Sequence, residues 1–367
     1  MKKTGIGIIG CGNISRVYFE NLAKFQNTQV IACADRLLER AQAKAAEHGV
    51  PKALTVEQLL ADPDVEIVIN LTIPVAHGEI AFAALEAGKH VYGEKPFTVS
   101  REQGQKVLAL AKEKGLRTGC APDTFLGGAH QTCRKLIDDG EIGEPIAVNA
   151  FMLCHGHESW HPDPAFYYSK FGGGPLMDMG PYYLTDLVSL IGGIHRVTGS
   201  ARVTFPTRTI TSKEKHGTVI EVETPTHLAA ILDFANGAVG TLVTSFDVWS
   251  HQMPHIEIYG TEGSLKVPDP NGFGGKVQVR RKDESEWRDV ATGHFQENGR
   301  GVGVADMAAA IESGRPHRAS GALAFHVLDV MQGVLDSSAS GTHYTPLTPV
   351  ERPAAFPTGL LENSVDH

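Results

Sequence analysis

The first third of the chain alternates short strand-like runs with helical segments, and this rhythm limits the fold more than any other feature. The strand-like runs are rich in β-branched residues and read TGIGIIG, QVIACAD, VEIVINLT, HVYGEK and RTGCAP. Strands that alternate with helices form βαβ units, in which helices cover a parallel sheet. Capping boxes at Thr55–Gln58 and Ser100–Gln103 predict where two of the helices begin. We therefore expect an N-terminal α/β domain over residues 1–122.

The pattern changes beyond about residue 123. A helix is predicted over 128–139, and it is followed by long alternating segments such as HLAAILDFANGAVGTLVTSF and HIEIYGTEGSLKV. Such segments predict hairpins, with turns at ANGA and TEGS. We expect a second α/β domain over 123–345 with a large, open, mostly antiparallel sheet, and a loosely packed tail over 346–367. Because an open sheet face must be covered, a homodimer or homotetramer is expected.

Composition and charge exclude several classes of protein. The chain has 33 Lys and Arg against 42 Asp and Glu, a net charge of -9, which argues against a nucleic-acid partner. Its five cysteines are odd in number and form no C-x-x-C pair, so neither a disulfide framework nor a zinc ribbon is indicated, and a reducing cytoplasm is expected. No uninterrupted apolar run reaches the roughly 18 residues that a membrane span needs. A small-molecule partner remains the expectation.

A glycine-rich turn follows the first predicted strand. Gly10-Cys11-Gly12-Asn13-Ile14-Ser15 has the form G-x-G-x-x-S, in which Gly10 allows the tight turn and Gly12 lets backbone amides approach a pyrophosphate at a helix N-terminus. Asp35 ends the second strand, where a carboxylate takes the ribose 2′-hydroxyl of NAD. Arg36 next to it could face a 2′-phosphate instead, so NADP is the alternative. A bare turn and a helix-capping Asp35 are the readings without a cofactor.

A lysine stands at the end of another strand. Gly93-Glu94-Lys95-Pro96 follows HVY, and open α/β sheets bind ligands at the carboxyl ends of their strands. A lysine held there can place a cation beside a reacting carbon–oxygen bond. The alternative is an ordinary solvated lysine.

Three motifs together resemble the Gfo/Idh/MocA oxidoreductase family: GCGNIS, the tripeptide EKP, and GGGPLMDMGPYYLTD over 172–186. The resemblance covers nearly the whole chain. It implies an N-terminal Rossmann domain followed by an α/β domain with an open, largely antiparallel sheet. It also implies oxidation or reduction of sugars, cyclitols and related polyols with NAD or NADP.

The resemblance further implies catalytic roles for Lys95 and Asp178. The family motif has an acid/base histidine where this chain has Tyr182, a departure that resembles the glucose-fructose oxidoreductase branch, in which a tyrosine serves there. Tyr183 competes with Tyr182, but adjacent residues of a helix do not share a face, so one of the two should point into the site. Packing of both tyrosines in the core is the structural alternative.

A histidine-rich loop follows the strand EPIAVNAFML. His155 and His157 stand at alternate positions and could share a face of a strand, where His161 or Asp163 would complete a metal site. The resemblance implies no metal, however, and no cysteine pair supports zinc. We favour a carbohydrate-facing loop in which Trp160 stacks on a sugar ring while imidazoles bond hydroxyls; an ordinary solvated loop is the alternative. The predicted substrate-binding residues are Asp123, Thr124, His155, His157, Trp160, His161, Asp178 and Tyr182. The predicted cofactor-binding residues are Gly10, Cys11, Gly12, Asn13, Ile14, Asp35, Arg36, Thr72, Pro74, His77, Glu94 and Lys95.

The resulting functional hypothesis is an NAD(P)-dependent sugar or polyol dehydrogenase. Two alternatives stay open. One is a redox-assisted epimerase or glycoside-processing enzyme with tightly bound NAD. The other is a non-catalytic sugar or dinucleotide sensor, although a sensor has no need of the proton-transfer groups Lys95 and Asp178.

Overall fold

The computed structural model describes residues 3–170, 172–293, 295–297, 299–361 and 363–366. The chain forms two compact units. The first contains 1–127, 294–325 and 353–367, and the second contains 128–293 and 326–352. Residues 294–325 and 353–367, which the sequence assigned to the second domain and to a tail, thus belong with the first unit.

A six-stranded parallel sheet forms the centre of the first unit. Its strands are β1 (Thr4–Ile9), β2 (Thr28–Ala34), β3 (Lys52–Leu54), β4 (Ile67–Asn70), β5 (His90–Gly93) and β6 (Thr118–Cys120). They lie in the order β3-β2-β1-β4-β5-β6, which is the order of a dinucleotide-binding Rossmann sheet. Sheets of this kind bind ligands at the carboxyl ends of their strands, at the point beside β1 where the strand order reverses.

Helices cover this sheet. They are α1 (Ser15–Leu22), α2 (Leu38–His48), α3 (Val56–Ala61), α4 (His77–Glu86), α5 (Arg101–Glu113) and, from the later segment, α8 (Val302–Ser313). The strands β1, β4 and β6 are almost wholly buried, as Ile67, Val68 and Ile69 show, because helices on both faces exclude water. The sheet is therefore a rigid support for the loops at its carboxyl edge.

An eight-stranded sheet forms the centre of the second unit. Its strands are β7 (Pro145–Leu153), β8 (Ile194–Arg202), β11 (His227–Phe234), β12 (Val239–Ser245), β13 (Ile256–Gly260), β14 (Gly263–Val267), β15 (Val277–Arg281) and β16 (Arg288–Val290). The order is β16-β15-β14-β13-β7-β12-β11-β8, and every neighbouring pair is antiparallel except the parallel pair β7 and β12. A separate two-stranded ribbon consists of β9 (Thr207–Thr209) and β10 (Val219–Glu221).

One face of the larger sheet is apolar and covered. Leu228, Ala230 and Leu232 alternate along β11 and are buried, whereas Ala229 and Ile231 between them are exposed. The helices of this unit are α6 (Gly128–Asp138), α7 (Pro175–Leu190) and most of α9 (Gly321–Ser340). Helices α6 and α7 pack against the sheet, and Ser337 and Ser338 of α9 accept backbone N–H groups of β8. The alternation of buried and exposed side chains along β11 thus gives the sheet one covered face and one open face, as the alternating sequence predicts.

The predicted fold class is confirmed: a Rossmann-type parallel sheet is joined to a second unit with a mixed, mostly antiparallel sheet. The hairpins at ANGA and TEGS form as predicted, between β11 and β12 and between β13 and β14. Thr55 makes the full capping box with Gln58, but Ser100 makes only the half in which its hydroxyl accepts from Gln103 N. Gln103 Oε1 is buried without a partner among the described residues.

The expectation of a loosely packed tail is wrong. Leu360 and Val365 are buried, and the guanidinium group of Arg318 donates to the carbonyl oxygens of Ala354 and Ala355. Asp366 accepts from Arg315 at 2.8 Å. Proline-rich composition kept this segment from forming helix or strand, but two apolar side chains and arginine donors hold it to the first unit.

Candidate active site

The glycine turn joins β1 to α1. Gly10 has φ +104°, and a Cβ there would lie 2.6 Å from the backbone of Leu71, so only glycine fits. A Cβ on Gly12 would meet nothing within 4 Å, so the backbone of this turn faces open space. Ser15 is fully buried at the start of α1, where its hydroxyl donates to Gly12 O at 2.7 Å. The turn therefore has the bare backbone that a pyrophosphate needs.

Asp35 is held against this turn at the end of β2. Its Oδ2 accepts the N–H of Cys11 at 2.9 Å, and its Oδ1 accepts the N–H of Leu37 at 3.0 Å. A carboxylate has about four acceptor positions, so both oxygens can still accept ribose hydroxyls. Arg36 beside it is exposed. The residues present thus fit a dinucleotide with a free 2′-hydroxyl.

Exposed apolar side chains surround the same edge of the sheet, and the sequence reasoning missed most of them. Ile73 is 63% exposed and Val75 is 52% exposed, both directly after β4, and Leu37 is 42% exposed after β2. Ile14 in the glycine turn is also exposed and was predicted to contact the cofactor. Large apolar residues at the carboxyl ends of parallel strands were the signal that could have found them, because ligands bind there.

The segment after β4 is organised by His77. Its buried ring contacts two carbonyl oxygens, Nδ1 at 2.7 Å from Pro96 O and Nε2 at 3.0 Å from Thr72 O. Burial lowers the pKa of His77. The hydroxyl of Thr72 donates to Asn70 Oδ1 at 2.6 Å. His77 therefore joins Thr72, in the loop after β4, to Pro96, the residue that follows Lys95. The short helical turn Pro74–Ala76 lies between Thr72 and His77 in the sequence.

The EKP tripeptide follows β5. The carboxylate of Glu94 accepts from Tyr18 OH at 2.9 Å and from the N–H of Lys95 at 3.0 Å, so its two oxygens fix the turn. Lys95 is half-buried, and its peptide bond to Pro96 is cis. The lysine thus stands on a backbone that strand pairing and the Glu94 carboxylate hold in place.

Asp123, predicted to bind substrate, is fully buried next to the buried Thr124. Its Oδ2 accepts the N–H groups of Gly301 at 2.8 Å and Gly303 at 2.9 Å, while Oδ1 has no partner among the described residues. Burial raises the pKa of Asp123 to about 6, although the two N–H donors oppose the rise. These contacts indicate a structural role at the start of α8.

The raised pKa of Asp123 predicts a pH dependence of stability. The carboxyl of Asp123 binds its proton more tightly in the folded chain, where its pKa is about 6, than in the unfolded chain, where it has the ordinary value of 3.8. The free energy of unfolding of the wild type is therefore highest when Asp123 is protonated, and it falls as pH rises through about 6. Asp123→Asn removes this titration. Between about pH 3 and about pH 7, the free energy of urea unfolding of the variant should rise by about 3 kcal/mol relative to that of the wild type. Parallel pH curves for the two proteins would contradict the assignment.

In the second unit, α7 carries the other predicted catalytic residues. Gly174, at φ +86°, precedes the helix, and Asp178 lies in the first turn, where the helix dipole favours a carboxylate. Asp178 and Tyr182 are four residues apart and share a face, whereas Tyr183 does not. The hydroxyl of Tyr183 donates to Phe151 O at 3.1 Å and lies 3.0 Å from His255 Nδ1. Burial raises the pKa of Tyr183 well above its usual range.

One histidine of the loop after β7 reaches Asp178. His157 Nε2 lies 3.8 Å from Asp178 Oδ2, and its ring also contacts Trp160 and Tyr167. His161 accepts the N–H of Asp163 at its Nδ1 and packs against Trp160 and Tyr167.

The other loop histidine takes a different direction. Gly156 has φ +80°, so the chain between His155 and His157 is bent rather than extended, and the ring of His155 stacks on Trp249. In the described part of the chain, no three His, Cys, Asp or Glu side chains are grouped so as to hold a metal ion. The shared strand face that motivated the metal alternative does not form.

A network of buried charges lies beneath this loop, and the sequence reasoning missed it. Arg208 donates to Glu158 at 2.9 Å, to Phe246 O at 2.9 Å and to Asp247. The second oxygen of Glu158 accepts from Tyr168 OH at 2.5 Å and from the N–H of His157. The three charged residues come from distant parts of the sequence, so no local pattern could have indicated the network.

A parallel sheet in this order with a bare glycine turn and a carboxylate after β2 defines a dinucleotide-binding domain. Two family models match the chain: "Oxidoreductase family, NAD-binding Rossmann fold" over residues 4–121 and "GFO/IDH/MocA C-terminal domain" over 130–266. The chain belongs to the Gfo/Idh/MocA oxidoreductase family, as the three motifs predict, and its first unit is an NAD-binding domain. In the described residues, no helix is long and apolar enough to cross a membrane.

Similar proteins act on sugars. The 1,5-anhydro-D-fructose reductase of Ensifer adhaerens is 35% identical over 177 residues, which are 47% of this chain and about half (52%) of that protein. The dTDP-3,4-didehydro-2,6-dideoxy-alpha-D-glucose 3-reductase of Streptomyces violaceoruber is 30% identical over 295 residues, 77% of this chain and 79% of that protein. Levoglucosan dehydrogenase in complex with NADH and L-sorbose has the same fold, with a TM-score of 0.82, 23% identity, and coverage of 94% of this chain and 99% of that one.

Proposed function

We propose that this protein is an NAD-dependent dehydrogenase that acts on a hydroxyl group of a sugar, cyclitol or glycoside. The observation that carries the proposal is the arrangement on α7: Asp178 and Tyr182 share one face, and the hydroxyl of Tyr183 is already committed to Phe151 O. Tyr182 is the tyrosine on the Asp178 face of the helix, and we assign the proton transfer to its phenol. The sugar-acting relatives support the substrate class.

Each residue has a defined task in this reaction. The glycine turn and Asp35 would hold NAD, which would supply the acceptor for the hydride that leaves the substrate carbon. Tyr182 accepts the proton of the substrate hydroxyl. Asp178, with His157 beside it, bonds a neighbouring hydroxyl and orients the ring. Lys95 places its ammonium next to the oxygen on which negative charge develops.

A substrate screen tests this proposal directly. Purified protein is mixed with NAD or NADP and with pentoses, hexoses, inositols or glycosides, and the absorbance of the reduced coenzyme is followed. Reduction with at least one compound is expected. Absence of reduction, together with coenzyme that copurifies and never exchanges, would instead favour a redox-assisted epimerase. Absence of reduction with freely exchanging coenzyme would leave only a sensor.

The position of Asp35 predicts a preference for NAD. Asp35→Ala should raise the KM for NAD by about tenfold or more, because hydrogen bonds to a charged group are worth about 1.5–3 kcal/mol. The KM for NADP should not rise, since the 2′-phosphate is no longer repelled. Glu39→Ala is the matched control: this carboxylate is exposed in the first turn of α2 and should leave both constants unchanged. Tighter binding of NADP than NAD by the wild type would refute the preference.

The open face of the larger sheet supports a homo-oligomer. Ile231 on β11 and Val239 on β12 are exposed beside Ala229, and wide apolar faces of this kind are usually covered by a partner. We expect a homodimer or homotetramer in sedimentation at micromolar concentration. Ile231→Lys should shift the population toward monomer by placing a charge in the interface. A wild-type monomer at that concentration would contradict the expectation.

A reducing, cytoplasmic setting is also part of the proposal. All five cysteines carry free thiols in the described structure, and Cys11, Cys33, Cys120 and Cys133 are buried. Alkylation of protein taken directly from cells should therefore label five thiols after denaturation without reductant. Fewer labelled thiols would indicate disulfides and a different compartment.

A further inference from the structure

A cavity lies in the second unit, on the side of the histidine loop to which His155 turns. Its volume is about 500 Å³, within the range of small-molecule sites. The lining residues are His155, Gly156, Glu158, Ser159, Phe205, Thr207, Arg208, Thr209, Thr211 and Trp249. Residues of the loop after β7, of the ribbon strand β9 and of the segment after β12 thus line a cavity that is open to solvent.

The cavity has an aromatic wall that is open to a ligand. Trp249 stacks on His155 with ring centroids 3.3 Å apart and planes at 14°, so one indole face is covered. The side chain is nevertheless 81% exposed. Phe205 is 41% exposed and approaches His155 edge-on. Exposed aromatic rings around a concave surface suit the apolar face of a sugar ring.

Hydroxyl groups of the ribbon lie on the same side of the strand as Phe205. The sequence Phe205-Pro206-Thr207-Arg208-Thr209-Ile210-Thr211 alternates along β9 and its continuation, so the phenyl ring and the three hydroxyls share one side, which is exposed. The backbone N–H of Thr211 donates to Glu158 O at 3.0 Å, which holds this strand to the histidine loop. His155 Nδ1 is buried with no hydrogen-bond partner among the described residues. These groups can donate to and accept from the hydroxyls of a ring.

The charges at the cavity favour a neutral ligand. The Arg208 guanidinium is engaged by Glu158 and Asp247, so one positive charge faces two negative ones. An anion such as a phosphate would gain little from an arginine that is already paired twice, and the net charge would repel it. A neutral carbohydrate ring meets no such penalty.

The cavity is next to the site around Asp178. His155, which lines the cavity, and His157, which reaches Asp178, are separated only by Gly156. Two residues of chain span at most about 7 Å, so the backbone that lines the cavity at His155 lies within that distance of the backbone of His157. The N–H of His157 also donates to Glu158, whose side chain lines the cavity.

We propose that this cavity is a subsite for the second ring of a glycoside whose first ring is bound at Asp178 and Tyr182. The inference rests on the proposed function and makes it narrower, because a disaccharide or other two-ring glycoside then binds better than the single sugar. Trp249 supplies the stacking surface, and Thr207, Thr209 and Thr211 bond the ring hydroxyls.

Binding measurements test the subsite without requiring turnover. Calorimetry with full-length protein loaded with NADH, which cannot accept a hydride, compares glucose with maltose and cellobiose. We expect at least one disaccharide to bind about tenfold or more tightly than glucose, and Trp249→Ala to remove that advantage. Thr209→Val, which keeps the shape of the side chain and removes its hydroxyl, should reduce the advantage in part. Trp287→Ala, the control, removes an indole that packs on Lys266 and should preserve it.

Three results would overturn the subsite. They are equal affinity of the wild type for glucose and both disaccharides, no binding of either disaccharide, or an unchanged ratio in Trp249→Ala. A change in sedimentation of Trp249→Ala without a change in the ratio would show that Trp249 is a contact between copies of the chain instead. Because NADH-loaded protein is used, a failed dehydrogenase screen and a failed subsite give different results.

Discussion

Tyr182→Phe is expected to lower kcat by about 10²–10⁴-fold, the usual contribution of a general acid or base. Only one oxygen atom is removed from a buried ring, so the fold and NAD binding should persist. Steady-state kinetics gives the loss, and coenzyme titration with thermal unfolding checks that the site and the fold are intact. Tyr182→His should keep partial activity, because an imidazole at the same position can also accept the proton of the substrate hydroxyl.

Tyr183→Phe is the matched control, since it removes the same atom one position along α7. The Tyr183 hydroxyl donates to Phe151 O, so its loss should lower the free energy of unfolding by about 1 kcal/mol. Turnover should stay near that of the wild type. An inactive Tyr183→Phe beside a fully active Tyr182→Phe would transfer the proton acceptor to Tyr183 or to a histidine of the loop.

Local sequence patterns were sufficient to predict the glycine turn of the first unit and the carboxylate beside it. Gly10, Gly12 and Asp35 were predictable because strand, turn and carboxylate are close in sequence and each has one physical task. The strand β3 was not predicted, because Lys52-Ala53-Leu54 is only three residues long and contains no β-branched residue. Ile73 and Val75 were not predicted as candidate cofactor contacts for another reason. Apolar residues are expected in the core, and only the structure shows that these two side chains are exposed.

The histidine loop shows where sequence reasoning stops. Alternation predicted a common strand face for His155 and His157, but β7 ends at Leu153 and the positive φ of Gly156 turns the two rings apart. In the network of buried charges, Arg208 is 50 positions from Glu158 and 39 positions from Asp247 in the sequence. Pairings across such distances follow from sheet topology, which a single sequence does not specify in detail. The cavity beside His155 was therefore not predictable, although its aromatic and threonine residues are present in the sequence.

The EKP lysine gives the other large expected effect. Lys95→Ala should lower kcat about a hundredfold or more, because the ammonium that stabilises the developing negative charge is lost. NAD binding should persist, since the glycine turn and Asp35 are unchanged. Lys95→Arg keeps the charge and should retain more activity than the alanine variant, and added ethylamine should restore part of the activity of Lys95→Ala.

Lys89→Ala is the control for this prediction, because Lys89 precedes the same strand at its opposite end. Its buried ammonium donates to Asp62 O at 2.7 Å, so its removal should reduce the free energy of unfolding while leaving kcat close to the wild-type value. The contrast separates a lysine that acts on substrate from one that only supports β5. Unchanged turnover in Lys95→Ala would remove the lysine from the reaction and leave charge stabilisation to residues of the second unit.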